Sequence, residues 1–441
     1  MKFCNLELFE NYVIKENKND ISYYILTSYF DYYHNKNGIF LSRVSIFDNL
    51  KRGTIYQDKN KVDKILKILM NPKFSPQEKS KELNLLNVTD KEKKGIGSML
   101  GMAIGDAMGA RLEFHSLKYN KIDLIDMGKG PESHFHLYPG QWTDDTSMGL
   151  CLADSLLMNK GQLNPKDLMH RFIAWWKGGY NNSFRFNIEN NNMMPRPSIG
   201  LGGNIYLSFS KYIKDYDNFI PLSDETKAGN KDTSGNGSIM RNAAIPICFH
   251  YDINKACEMA RRQSLVTHQG IEAKECCSLL TYIIVKIFEG KKLKEEILEY
   301  LDKGFITNVK SVDYLAKSKQ EGNDINRNWD WKKKEQYIYS PHRSQSSPGY
   351  IGSYAMDNMA MSLNIIYNTN SFKEAIIKAV NLRGDADSVA SVVGQIAGAY
   401  YPIENIPYDW IQEIYRWDRG EIALRGYMLA RLRNGYSYII N

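Results

Sequence analysis

The sequence is poor in several features that would each decide its class at once. Its six cysteines, Cys4, Cys151, Cys248, Cys257, Cys276 and Cys277, form no CxxC pair and have no histidine-rich companion. That argues against a zinc site or a disulfide framework and for reduced thiols in a cytosol. The start, Met1-Lys2-Phe3-Cys4-Asn5-Leu6-Glu7, lacks the apolar core of a signal peptide. The longest apolar stretch, Leu279 to Phe288, contains Lys286 and falls short of the roughly 18–20 residues a membrane span needs. Basic runs stop at Lys332-Lys333-Lys334 and Lys291-Lys292, below the roughly 5–8 residues of a nucleic-acid patch. A soluble cytoplasmic protein, with neither membrane nor nucleic acid as partner, is the expectation.

What is present is a chain of 441 residues, 43% hydrophobic and 24% charged, which excludes wholesale disorder. The 57 basic and 50 acidic residues leave a net charge of +7, thinly spread. The length suits two or three domains, or one large helical domain with an extension.

Character changes near Thr89-Asp90. Residues 1–88 are rich in Tyr, Asn and Lys. Ile21 to Leu26 and Gly38 to Leu41 look strand-capable, Val62 to Met70 carries a helical period, Pro72 stops that helix and Pro76 opens another. This predicts a small mixed α/β extension. Thr89 and Glu92 form a capping-box pattern that starts a helix through Met108. Beyond it, helices are predicted at 147–159, 165–178, 253–266, 270–289, 292–303, 353–367, 371–380, 387–401, 408–417 and 421–433. Gly, Asn and Pro clusters at Gly178–Asn182, Asn190–Gly203 and Gly229–Gly237 mark long loops between them. Residues 89–441 therefore read as an all-α domain.

One predicted helix is odd. Gly97, Gly101, Gly105 and Gly109 recur every four residues, and each interior glycine costs a helix about 1 kcal/mol relative to alanine. Asp106 and Arg111 exclude a transmembrane dimer helix. Close approach of another backbone is the compensation expected, with the small-residue helix Ser388–Tyr400 as the natural partner.

Two acidic motifs stand out: Gln141-Trp142-Thr143-Asp144-Asp145-Thr146, ahead of a helix, and Arg383-Gly384-Asp385-Ala386-Asp387-Ser388, at the start of the small-residue helix. Singly, each is compatible with helix capping and acids at a positive helix end. Together they supply four aspartates and two hydroxyls. Hard divalent cations favour such an oxygen-only set, and neighbouring carboxylates repel unless a cation or proton lies between them. A two-metal site that activates a water is the chemistry these residues suit.

In this order of blocks the sequence resembles the ADP-ribosylglycohydrolase family. Gly97 to Phe114 looks like the family's opening helix, and Gln141 to Leu157 like its first metal motif. Gly235 to Pro246 (GNGSIMRNAAIP) is similar to its central glycine-rich loop. Thr267-His268, Gly349 to Leu363 and Gly384 to Gly398 match three further blocks, the last being the second metal motif. The resemblance implies an all-α glycohydrolase-like domain at 89–441 preceded by the extension at 1–88. It also implies that Thr143, Asp144, Asp145, Asp385, Asp387 and Ser388 hold two divalent cations, Mg2+ or Mn2+. Glu113, Asp144, Asp145 and Asp385 would be catalytic. Asn236, Gly237 and Ser238 would receive ribose and diphosphate, with His268, Gly352, Ser353 and Tyr354 completing substrate binding. Arg383 stands where many relatives have glycine.

The implied reaction is hydrolysis of the bond between ADP-ribose and a protein side chain, arginine first. Three roles compete. An enzyme would reverse ADP-ribosylation, as an immunity protein against an ADP-ribosyltransferase toxin or as a housekeeping hydrolase of serine-linked or O-acetyl-ADP-ribose. A binding inhibitor would block a transferase through residues 1–88. A retired enzyme would serve structurally, which four retained and mutually repelling carboxylates argue against.

Overall fold

A computed structural model describes residues 54–128, 133–184, 198–214, 233–333 and 338–432. The strand-capable segments at 21–26 and 38–41, Cys4, and parts of the loops at 190–203 and 229–237 lie outside the described residues. Among those described there are helices and no strand, only two isolated bridges, Gly235 with Tyr354 and Gln320 with Asn328.

The helices, in chain order, are α1 (Thr54–Leu69), α2 (Pro76–Leu85), α3 (Asp90–Gly109), α4 (Asp144–Met158), α5 (Pro165–Gly178), α6 (Gly203–Lys214), α7 (Ala244–Cys248), α8 (Ile253–Leu265) and α9 (Ile271–Phe288). After them come α10 (Leu301–Gly304), α11 (Lys310–Ala316), α12 (Pro341–Ser346), α13 (Ala355–Tyr367), α14 (Phe372–Leu382), α15 (Ala386–Tyr400), α16 (Tyr408–Asp418) and α17 (Glu421–Arg431). Starts follow local chemistry. Thr89 and Glu92 close the predicted capping box on α3, and Ser75 with Glu78 does the same for α2, which begins with Pro76. The segment expected as one helix at 292–303 divides into a π-helical turn, Leu293–Leu298, and the short α10.

The glycine stripe finds its partner. A Cβ at Gly97 would sit 2.0 Å from the Gly398 carbonyl oxygen, one at Gly101 2.1 Å from that of Gly394, and one at Gly105 2.0 Å from that of Ala390. The two helices are thus antiparallel with backbones in contact, closer than any side chain permits. α17 meets the same helix at its other end, where Gly95 and Gly426 face each other. The resulting core takes in helices from the whole described chain. It includes Val62, Ile65, Leu66 and Leu69 of α1 and Leu83 of α2. Arg431 pairs with Asp58, so residues 54–88 share the core of the body that follows. Five cysteines are buried as free thiols. No helix of the described residues is long and apolar enough to cross a membrane.

Candidate active site

The antiparallel register decides where the acidic residues fall. At the end of α3, Gly109 meets the Asp387 backbone at the start of α15. Asp106 lies one turn back on the same helix, completely buried. Its carboxylate accepts four hydrogen bonds from the start of α4. Thr143 N and Oγ1 donate to Oδ1, both at 2.9 Å, and Thr146 N and Oγ1 donate to Oδ2 at 2.9 and 2.7 Å. Thr143 stands at the N-cap position of α4 yet makes no capping bond of its own. The cap comes from another helix, and Thr143 is freed to face the acids.

Around that hydroxyl the oxygens crowd. Thr143 Oγ1 lies 3.3 Å from Asp387 Oδ2 and 3.4 Å from Asp145 Oδ2, as well as 2.9 Å from Asp106. Its single proton can satisfy one of three carboxylates. Ser388 Oγ lies 3.5 Å from Asp145 Oδ2. Carboxylate oxygens of Asp106, Asp145 and Asp387 come within 4.8 Å of one another, and so do those of Glu113, Asp385 and Asp387. Asp145 Oδ1 and Glu113 Oε2 are buried with no hydrogen-bond partner among the described residues. Buried anionic oxygens without partners are costly, and a cation is the chemistry that satisfies them. The donor set, oxygen-only with hydroxyls, fits a hard divalent ion.

Electrostatics say the same. Burial, then the charges of Asp387 and Asp385, hold Glu113 well above the ordinary carboxylate range. Burial, then Asp106 and Asp387, do so for Asp145, and burial, then Asp385 and Asp106, for Asp387. Asp144 is raised by burial and by Asp106, and Gly200 packs directly on its carboxylate, where a Cβ would collide with Oδ1. Asp385 is raised by burial, while the Asn236 amide donates to its Oδ2 at 3.0 Å.

The glycine-rich loop and the 352–354 segment are sewn together beside Asp385. Asn236 Nδ2 also donates to Gly352 O at 2.9 Å, and Asn236 N donates to Ser353 O at 2.8 Å. Gly352, at φ +104, lies against Asp385 and Val389. The other expected substrate residues are held less directly. Ser353 Oγ donates to Tyr350 O at 2.7 Å. The Ser238 hydroxyl is fully buried and accepts from Ser264 Oγ at 2.8 Å. His268 backs Gly237, pairs through Nδ1 with Thr267 Oγ1 at 2.8 Å, and is pushed down to about 3 by burial and Arg241, so it stays neutral. The Tyr354 hydroxyl bonds Glu272, and Arg327 donates to both, at 3.0 Å to Tyr354 and 2.5 Å to Glu272.

Sequence reasoning passed over Asp106, Glu272 and Arg327. Asp106 did carry a signal: a charge inside an apolar, glycine-striped helix must be buried with partners. Glu272 and Arg327 belong to no motif and are joined only by the fold.

The ADP-ribosylglycohydrolase family profile matches residues 87–436, and the chain belongs to that family. It is similar to ADP-ribosylarginine hydrolase Tri1 of Pseudomonas putida (strain GB-1), 32% identical over 326 residues that cover 72% of this chain and 73% of that protein. It is also similar to ADP-ribosyl-[dinitrogen reductase] glycohydrolase of Rhodospirillum rubrum, 26% identical over 327 residues that cover 73% of this chain and 90% of that protein. A solved structure titled ADP-ribosylglycohydrolase-related protein complex superposes with a TM-score of 0.57 at 26% identity, covering 78% of this chain and 100% of the other.

Proposed function

We propose that this protein is a metal-dependent hydrolase that removes ADP-ribose from modified protein side chains, arginine foremost. The observation that carries the reading is the buried convergence of Asp106, Asp145 and Asp387 with Glu113 and Asp385, two of whose oxygens have no described partner. Relatives named as ADP-ribosylarginine hydrolases support the choice of linkage.

Thr143, Asp144, Asp145, Asp385, Asp387 and Ser388 would hold two divalent ions, Mg2+ or Mn2+. Such ions, when bound, neutralise the crowded carboxylates and activate water. The chain's own residues do the rest. Asp106 fixes Thr143 and thereby the start of α4. Asn236 orients Asp385 and ties the glycine-rich loop to Gly352, and the loop's glycines leave room for a diphosphate close to backbone N–H groups. Glu113, whose Oε2 has no described partner, would pass a proton during cleavage through an oxocarbenium-like transition state. The test is release of ADP-ribose from a protein modified on arginine, with Mg2+, with Mn2+ and with EDTA. Serine-linked and O-acetyl-ADP-ribose serve as competing substrates. No release from any of them with either metal overturns the reading, and preference for serine or O-acetyl linkages reassigns the substrate.

Division at residue 88, the cytoplasmic location and a toxin-binding role for residues 1–88 belong to the same proposal. α1 and α2 share the core, so the deletion that tests partner binding removes residues 1–53 and keeps them. Unchanged binding to an ADP-ribosyltransferase after that deletion refutes the inhibitor role for the removed segment.

A further inference from the structure

Away from the acidic centre, a cavity of about 690 Å³ opens between the 118–122 segment and the helices α13 and α14. None of the residues assigned to the reaction lines it. Its volume is that of an ordinary small-molecule site, where roughly 300–1,000 Å³ is usual.

Its charge is one-sided. Among the described residues, Lys118, Lys121, Lys373 and Lys378 line it against one acid, Glu374. Glu374 is already engaged, accepting from Asn370 N at 2.7 Å. Lys121 pairs with Asp123 at 3.0 Å. The amines of Lys118, Lys373 and Lys378 form no ion pair with a carboxylate among the described residues. Arg383 and Lys121 crowd Lys118 enough to push it below its ordinary value, and burial does the same to Lys378. Lysines normally spread apart or pair, and their gathering around a concavity favours an anion.

The remaining wall is flat and apolar. The rings of Tyr119 and Tyr339 stack at 6.3 Å with planes 20° apart, and Ile377 and Leu382 line the same cavity. The polar groups behind it are spent on the fold. Asn381 accepts from Asp123 N and Leu124 N and donates to Leu124 O and Ile377 O, and Tyr339 donates to Asn364. Recognition is left to the lysines and the aromatic wall.

We propose that this cavity is a second ligand site, for a phosphate-bearing small molecule of nucleotide size with a planar group. The proposal does not depend on the reaction assigned above.

The probe is ADP, titrated calorimetrically into the full-length chain in EDTA, where the metal-free acidic centre repels a diphosphate. One saturable site per chain is expected. Inorganic pyrophosphate should displace ADP, and adenosine should bind far more weakly. Lys118→Glu with Lys378→Glu should weaken ADP at least about tenfold, and Lys118→Gln with Lys378→Gln should weaken it less. Asp145→Asn should leave it unchanged. Circular dichroism melts establish that the variants are folded, and the glutamine pair carries the test if the glutamate pair is not. Absence of saturable binding overturns the proposal. So does binding indifferent to the lysine changes, adenosine binding as tight as ADP, or loss of binding in Asp145→Asn.

Discussion

The carboxylate of Asp106 accepts both the backbone N–H and the hydroxyl of Thr143, each at 2.9 Å, although the two residues belong to different helices. One acid thus caps α4 and aims the first acidic motif. Replacement by alanine strands the N–H groups of Thr143 and Thr146 inside the core. A loss of about 2–4 kcal/mol is expected on chemical unfolding. Metal affinity should fall with it, because Thr143 loses its orientation. Asp106→Ala with wild-type affinity for Mn2+ would contradict that link.

Gly105 has no room for a methyl group. The obstacle is the Ala390 backbone, which cannot turn aside as a side chain does. Gly105→Ala should destabilise by more than about 3 kcal/mol despite alanine's better helix propensity. Gly203→Ala, where the added carbon meets nothing within 4 Å among the described residues, should change stability by less than about 0.5 kcal/mol. Paired urea titrations give both values.

Arg383 adopts φ 66 and ψ −145, a region that strains residues bearing a Cβ. It is secured by an ion pair with Asp123. Arg383→Gly relieves strain of about 1–3 kcal/mol, while the lost pair and the more flexible unfolded chain take back about 1–2 kcal/mol. The expected outcome lies between about 1 kcal/mol less stable and about 2 kcal/mol more stable than the parent. A loss of more than about 1 kcal/mol on urea unfolding would show that the ion pair outweighs the strain.

The buried carboxylates give the metal-free protein a defined response to pH. Their folded pKa values are raised above the ordinary 3.8, so the stability they contribute is fully present below 3.8 and is lost as pH rises through the folded values. Asp418, pushed up to about 7 by burial, adds to the same slope between 3.8 and 7. His268 opposes it: held at about 3, it contributes stability that is lost as pH falls from 6.5 towards 3. In EDTA the melting temperature should therefore rise on acidification from pH 8 to about 6. Mg2+ should raise it more at pH 8 than at pH 6, since protons and cations compete for the same oxygens. Equal stabilisation at both pH values, read by differential scanning calorimetry, would contradict this.

Much of the catalytic body was legible because its signals are local. The capping box at Thr89, the four-residue glycine period and the two acidic motifs each sit in one stretch of chain. The stripe even indicated its partner helix, since glycines spaced for backbone contact need small residues opposite. α6, α7, α11 and α12 were not anticipated: they are short or lie among loop-like residues, and packing rather than periodicity holds them helical. Asp106 was legible as a buried charge but not as a cap, because its partners lie 37 and 40 residues away. The partners of Tyr354, Glu272 and Arg327, leave no trace in sequence, because only the fold joins them to it.

The contact between α3 and α15 works as a toothed ratchet. With glycines at every fourth position and carbonyls seated against them, the two helices can be offset only by whole four-residue steps, about 6 Å along the axis. Small, graded slides are blocked by backbone rather than by adjustable side chains. Asp387 and Asp106 are consequently held at one separation or torn far apart, with nothing stable between. A chain built this way loses its acidic centre all at once, and its metal affinity should vanish in the same step as its helical signal.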